Sequence, residues 1–232
     1  MSKIEIRNHP KFYNVFISGP QDKLKLYTRN LDVGKRIYGE RLISYKGMEY
    51  REWDPFRSKL AALILENPIT NFLSDNLKCL YLGASSGTSI SHLSDIIYSG
   101  IIYGVEFAER SMRQLIQNSS NRKNIIPILG DARFPDSYGK YIFTNIDLIY
   151  QDVAQPRQAE IALGNCTYYL KNEGVLILVI KSQSIDSIQK SELTFAQEKK
   201  ILETAGYTIL ESINIHKYAA NHMVLIVKKA IN

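Results

Sequence analysis

The stretch "KCLYLGASSGTSISHLSDIIYSGIIYGVEF", Lys78 to Phe107, holds the rhythm that decides the fold. It opens with a short apolar run, "KCLYLG", of strand length. A turn rich in glycine and serine follows, and "SISHLSDIIYS" then repeats its apolar residues at helical spacing. "GIIYGVEF" is a second strand-like run. Strand, helix and strand in succession predict a parallel pair joined by a covering helix, because parallel neighbours need a long crossover.

The rhythm continues toward the C-terminus. "AERSMRQLIQNSS" reads as a helix, "NIIPILGD" and "NIDLIYQD" as strands, and "RQAEIALGNCTYYL" as a helix. "GVLILVIK" is a strand, and "LTFAQEKKILETAG" an amphipathic helix stopped at Gly206. "YTILESINI" and "HMVLIVKK" close the chain as strands. The short link "HKYAAN" cannot make a parallel crossover, so these two should pair antiparallel. The expectation is an α/β, Rossmann-like fold, with a mostly parallel seven-stranded sheet whose last strand is antiparallel. No internal repeat or low-complexity tract interrupts it.

Before Lys78 the pattern differs. "KFYNVFISG", "KLKLYTRNL" and "RLISYKGMEYREW" mix aromatic and β-branched residues with charges and predict a small antiparallel sheet. Asp54-Pro55 then supplies an N-cap and a first helical residue for "PFRSKLAALILENP", which stops at Pro68. The expected division is a small N-terminal β domain over residues 1–54 and a main domain over residues 55–232.

Composition bounds the reading. Of the 232 residues 45% are apolar and 22% charged, normal for a globular protein with a real core. No apolar run approaches the roughly 20 residues of a membrane span, and the N-terminus lacks the apolar segment of a signal peptide, so a cytoplasmic protein with no membrane partner is expected. Cys79 and Cys166 fall in apolar runs and read as buried thiols. With no paired Cys or Cys/His spacing, no metal is expected. Residues 1–60 hold 13 Lys+Arg against 7 Asp+Glu, whereas the remainder holds 16 of each. The net charge of +6 therefore belongs to the N-terminal quarter, which could face a polyanion or be an ordinary solvated surface.

Ligands of open parallel sheets bind outside the carboxyl ends of the strands. The first strand ends in "LGASSGTS", the second in Glu106-Phe107, the third in Asp131-Ala132, the fourth in Asp152 and the fifth in Lys181. Singly, these read as a turn, helix caps, a core aromatic or a surface lysine. Together they place an acid on three consecutive strands beside a glycine loop. The loop has no P-loop lysine, and its Gly83-x-x-x-Gly87 spacing is not the G-x-G-x-x-G that brings backbone to a pyrophosphate. That disfavours a dehydrogenase. Glu106 lies 23 residues past Gly83, a spacing suited to gripping a ribose diol. Adenosine without phosphates, next to carboxylates that favour a cation, fits S-adenosylmethionine and hence a methyltransferase.

The local sequences "WDPFRSKLAA", "YLGASSGTSISHLSDI", "GVEFAERS", "NIIPILGDAR", "QDVAQPRQ" and "VIKSQSIDS" together resemble the fibrillarin family, the S-adenosylmethionine-dependent methyltransferases of box C/D ribonucleoproteins. The resemblance spans essentially the whole chain. Without the Gly/Arg-rich tail of eukaryotic members, the sequence is similar to the archaeal form. The resemblance implies guide-directed 2′-O-methylation of ribose in rRNA and tRNA. It implies cofactor contacts from Gly83, Ala84, Gly87, Thr88 and Ser89 in the loop, with Ser89 keeping the hydroxyl of the family's usual Thr. Glu106 and Phe107 match the ribose-binding acid and its neighbour, Asp131 and Ala132 the adenine-side pair, and Asp152, Val153, Ala154 and Gln155 the segment beside the methionine part.

By the same resemblance the catalytic set is Lys59, Asp152, Lys181 and His222, with His216 as the competitor for the histidine. Lys181 can act as base only if its neutral form is accessible, which a neighbouring Lys59 favours and Asp152 opposes. Asp152 would align the lysine and favour the positive donor, and His222 would orient or relay the proton. The implied partners are a box C/D guide RNA, target rRNA and tRNA, a Nop-domain scaffold protein and a kink-turn-binding ribosomal-type protein. Two other readings stay open: a stand-alone methyltransferase acting on a small molecule or protein, and a noncatalytic RNA-binding subunit.

Overall fold

Alternation of apolar side chains along the central strands determines how the main sheet is covered. A computed structural model describes residues 4–229; residues 1–3 and 230–232 of the two expected domains lie outside the described residues. The main sheet contains β6 (Lys78–Leu82), β7 (Ile101–Glu106), β8 (Ile125–Leu129), β9 (Ile146–Gln151), β10 (Leu170–Lys181), β11 (Tyr207–Asn214) and β12 (His222–Lys229). Their order is β11-β12-β10-β9-β6-β7-β8. On β10, Ile177 and Val179 face one core, while Leu176, Leu178 and Ile180 face the other. The first core is closed by α1 (Lys59–Leu65), α2 (Thr88–Ile96) and α3 (Glu109–Ser119), through residues such as Leu63, Leu93 and Leu115. The second is closed by α4 (Gln158–Tyr169) and α6 (Ser191–Thr204), through Ala159, Ala162 and Leu202. A short α5 (Ser182–Ile185) links β10 to α6.

β12 runs antiparallel to both β10 and β11, so the expected antiparallel last strand is present. It is inserted between β10 and β11, an order that chain sequence alone does not specify. Cys79 and Cys166 are free and buried, one in each core.

The N-terminal quarter forms a second, antiparallel sheet of β1 (Arg7–Asn8), β2 (Val15–Ser18), β3 (Lys25–Arg29), β4 (Leu42–Tyr45) and β5 (Met48–Trp53), in the order β1-β2-β3-β5-β4. Lys46 and Gly47, with φ of 49° and 78°, close the β4–β5 hairpin. Phe12, Val15, Ile17, Leu26 and Trp53 belong to the same core as α1 and α2, so the two sheets share apolar contacts.

A buried polar network joins them as well. Arg51, fully buried, pairs with Glu40 at 2.6 Å and Asp95 at 2.9 Å, and Arg122 reaches the other oxygen of Asp95. Two guanidinium groups thus meet two carboxylates. His92 completes the network: Nδ1 lies 2.7 Å from Thr28 Oγ1, and Nε2 lies 2.8 Å from the Tyr38 hydroxyl. Thr28 donates its only hydroxyl proton to Asp95, so Nδ1 carries a ring proton toward Thr28. Burial pushes the His92 pKa well below its ordinary value, and Arg51 and Arg122 push it the same way.

One local expectation changes. Asp54-Pro55 does not start α1. The Asp54 carboxylate instead accepts from Phe56 N at 2.9 Å, closing a turn, and α1 begins at Lys59. Its cap is Ser58, whose Oγ accepts from Ala61 N at 3.3 Å.

Candidate functional site

The crest of the main sheet is built around a close approach between two strand ends. Gly83 leaves β6 with φ +83°, and a Cβ there would lie 2.8 Å from Asp152 O. Asp152 N donates to Leu82 O at 2.9 Å. The glycine loop and the Asp152 peptide therefore hold each other, and glycine is required by both conformation and space. Ser85, also at positive φ, donates its N–H to Glu106 Oε2 at 2.9 Å, while Ala108 N donates to Oε1 at 2.9 Å. Glu106 thus braces the loop against the turn into α3.

Beside this brace lies a cavity of about 210 Å³, lined by Gly83, Glu106, Phe107, Ala132, Asp152 and Gln155 among others. Val153 and Ala154 also line it. Phe107 is 62% exposed, leaving an aromatic surface for a ligand rather than joining the core. Asp131 turns its carboxylate to Arg133 at 2.6 Å and accepts from Gln155 Nε2 at 3.2 Å. The Arg133 guanidinium holds that carboxyl below the usual range.

Ala84 and Gly87 lie in the loop and Thr88 and Ser89 open α2; none of the four is among the residues that line this cavity. Gly87, at φ +106°, packs against Leu115 and Asn118. Ser89, expected at the cofactor, is buried and donates to Ser58 Oγ at 2.9 Å. The hydroxyl thereby ties α2 to the cap of α1.

The four residues of the expected catalytic set converge. Asp152 Oδ1 lies 2.7 Å from Lys181 Nζ, and its Oδ2 lies 3.3 Å from Lys59 Nζ. Lys181 Nζ also donates to Asp152 O at 2.9 Å. Lys181 Nζ is thus held by both the carbonyl and the charge of Asp152, which it would have to leave to act as the expected base. Lys59 arrives as the first residue of α1. His222 opens β12 directly opposite Lys181 in the β10–β12 ladder. Its Nδ1–H donates to Ala220 O at 2.6 Å, leaving Nε2 as the basic nitrogen. Burial lowers the His222 pKa; the bond to Ala220 and the charge of Asp152 raise it, and Lys59 and Lys181 lower it further. His216 is exposed and its Nδ1 accepts from Asn221 N at 3.4 Å, shaping the loop rather than the crest.

The sequence reading missed Gln158. It is fully buried, and its Oε1 accepts from Lys181 N at 2.9 Å. Its carbonyl accepts from Gln151 Nε2 at 2.7 Å, and Gln151 immediately precedes Asp152. One residue therefore sets the ends of β9 and β10 against each other. The available signal was two glutamines flanking "DVAQPR" in apolar surroundings, since a buried amide must find partners.

The cavity suits S-adenosylmethionine. Gln155 Oε1 is buried without a hydrogen-bond partner, an acceptor ready for a ligand N–H. Small residues line one wall, and Glu106 presents a carboxylate. Among the described residues no group of three or more potential metal ligands clusters.

Comparison with known proteins follows the same direction. The model of the fibrillarin family matches residues 6–231. A relative in Methanosarcina barkeri, a fibrillarin-like rRNA/tRNA 2′-O-methyltransferase, is 50% identical over 214 residues, covering 90% of this chain and 92% of its own. Aeropyrum pernix fibrillarin, solved with natively bound S-adenosyl-L-methionine, superposes with a TM-score of 0.89 at 40% identity, covering 98% of this chain and all of its own. The fibrillarin of a fibrillarin/Nop5p complex gives a TM-score of 0.83 at 37% identity over 94% of this chain and 98% of its own.

Proposed function

The chain belongs to the fibrillarin family, and from that premise we propose that it methylates the 2′-hydroxyl of ribose in rRNA and tRNA, with S-adenosylmethionine as donor. In this reading it is the catalytic subunit of a box C/D ribonucleoprotein, directed by a guide RNA and assembled with a Nop-domain scaffold and a kink-turn-binding protein. Residues 55–232 are the methyltransferase domain and residues 1–54 a small β domain attached to it. The observation that carries the reading is the Asp152 carboxylate held between Lys59 and Lys181, with His222 across the ladder, on the edge of a cavity fit for adenosine.

S-adenosylmethionine, when bound, supplies the methyl group as an electrophile on a positively charged sulfur. Glu106 and Phe107 hold the ribose end, Asp131 and Ala132 the adenine side, and residues 152–155 the methionine end. Gly83 gives the backbone room to approach. Asp152 places negative charge beside the cationic donor, and the two lysines fix its carboxylate in place. The attacking hydroxyl must also lose its proton. His222 is neutral, with Nε2 free to accept, so it can take that proton without first releasing one. Lys181 would first have to leave Asp152. The remaining gain comes from holding the acceptor oxygen and methyl in line.

The test is methyl transfer from labelled S-adenosylmethionine to target RNA, with the chain alone and then with guide RNA and both partner proteins. Transfer at one guided ribose, only in the full assembly, is expected. Transfer without a guide would make the chain a stand-alone enzyme. Cofactor binding without transfer in a complete assembly would make it a noncatalytic subunit.

A further inference from the structure

A groove of about 770 Å³ runs along the seam between the two sheets. Two of its walls lead directly into catalytic residues. The turn carrying Phe56 and Arg57 runs into Lys59, and the β11–β12 loop carrying Lys217 and Tyr218 runs into His222. The two walls touch: the Phe56 and Tyr218 rings meet edge to face, with centroids 5.5 Å apart. Phe56 is nevertheless 68% exposed, so burial does not explain it.

The charges around this aromatic pair are lopsided. Glu40 is committed to Arg51, Glu52 to Lys25, and Asp54 to the Phe56 N–H. Lys23, Arg41, Arg57 and Lys217 line the groove with no carboxylate at ion-pair distance among the described residues, against Asp22 and Glu66. The Arg57 guanidinium lies 5.7 Å from the Tyr38 ring centre and Lys217 Nζ 5.2 Å from that of Tyr218. An exposed Phe56 face and a half-buried Tyr218 beside unpaired cations match a nucleic-acid strand, with π-surface for a base and positive charge for phosphates. Protein–protein interfaces share such aromatics and arginine but are depleted of lysine, which this groove carries at Lys23 and Lys217.

We propose that this groove holds the RNA flanking the acceptor ribose, with a base against Phe56 and Tyr218 and phosphates on Arg57 and Lys217. The inference rests on the RNA-methylation reading above and deepens it. A ribose delivered to Asp152 and His222 brings its strand neighbours over the rim formed by the residues just before Lys59 and His222.

The test uses the full guide-directed assembly with target RNAs carrying 4-thiouridine one to three nucleotides from the acceptor ribose. Cross-links are expected on peptides containing Phe56 or Tyr218. Phe56→Ala and Tyr218→Ala should each raise KM for target RNA roughly tenfold, the scale of one lost stacking contact. KM for S-adenosylmethionine should stay unchanged, which also reports that the variants fold. Arg57→Gln and Lys217→Gln should each flatten the dependence of log affinity on log salt by roughly one, whereas Lys200→Gln on α6 should not. Cross-links elsewhere with unchanged RNA KM would overturn the proposal. So would loss of Nop-domain protein binding with RNA KM preserved, which would assign the groove to that protein. A wild-type assembly that methylates no RNA would remove the underlying reading, an outcome distinct from both.

Discussion

Two lysines converge on one carboxylate at Asp152, so removing it leaves two cations facing each other without a counterion. Asp152→Ala should lower single-turnover methyl transfer by at least about a hundredfold, as for other groups that organise transition-state charge. Its melting temperature should fall somewhat, since Lys181 is largely buried, so a melting curve must show that the variant is folded at the assay temperature. A folded Asp152→Ala assembly that turns over at near wild-type rate would remove the residue from the mechanism. Gln158 offers a subtler test. Gln158→Met keeps the volume but leaves the Lys181 N–H without its acceptor, at a cost of about 1–3 kcal/mol. We expect roughly tenfold lower kcat, because the bond sets Lys181 where it lines the cavity beside Asp152. His222 predicts the pH profile. Its lowered pKa keeps it unprotonated above pH ~6.5, so kcat/KM should be flat there and fall at lower pH as Nε2 gains a proton. A profile through which His222→Asn makes no difference would exclude it as the acceptor of the proton.

At the scale of elements, the loop between β6 and α2 transmits strain directly to the site. Gly83→Ala puts a Cβ 2.8 Å from Asp152 O in a backbone region that costs an alanine about 1–2 kcal/mol. The loop or Asp152 must move, and both weaker S-adenosylmethionine binding and lower kcat should follow, measured by calorimetry and single-turnover transfer. An alanine variant with unchanged affinity and rate would show that this contact does not set the site. The elements themselves were legible because their apolar periods are strong: 2 in the strands, 3.6 in the helices. Acids at three strand ends were legible for the same reason, since a strand's end fixes where its next side chain falls. The start of α1 was not, because Asp54 and Ser58 are both capping residues and tertiary contact with Ser89 favours the second. The insertion of β12 between β10 and β11 was also hidden, since it depends on packing between distant segments. Gln158 escaped for a related reason: its partners lie on two strands that only the folded sheet brings together.

Across the whole molecule, the small sheet is fastened to α2, the helix that follows the glycine loop, by fully buried charges. Arg51, counted in the sequence as part of a basic surface, lies inside and is neutralised by Glu40 and Asp95. The remaining charged neighbour, Arg122, completes a balance of two positive and two negative groups, with Tyr38 and Trp53 against the neutral His92 ring. A proton on His92 would be an unpaired charge. The folded state therefore resists a proton that the unfolded chain accepts near pH 6.5, and stability should be full above that pH and fall below it. The slope expected from this residue is about 1.4 kcal/mol per pH unit. Denaturant titrations of wild type and His92→Gln between pH 7.5 and 5 should separate, with the variant losing that slope; parallel curves would place the acid sensitivity elsewhere.

If this crest methylates a ribose oxygen, the acceptor atom can be tested directly. Labelled S-adenosylmethionine is supplied to the complete guide-directed assembly with two target RNAs, one carrying the guided 2′-hydroxyl and one 2′-deoxy at that single position. Nuclease digestion then identifies the labelled nucleoside. Label is expected as a 2′-O-methyl nucleoside at the guided position of the first RNA and none in the second. Label persisting in the deoxy target, or appearing on a base or on protein, would contradict it.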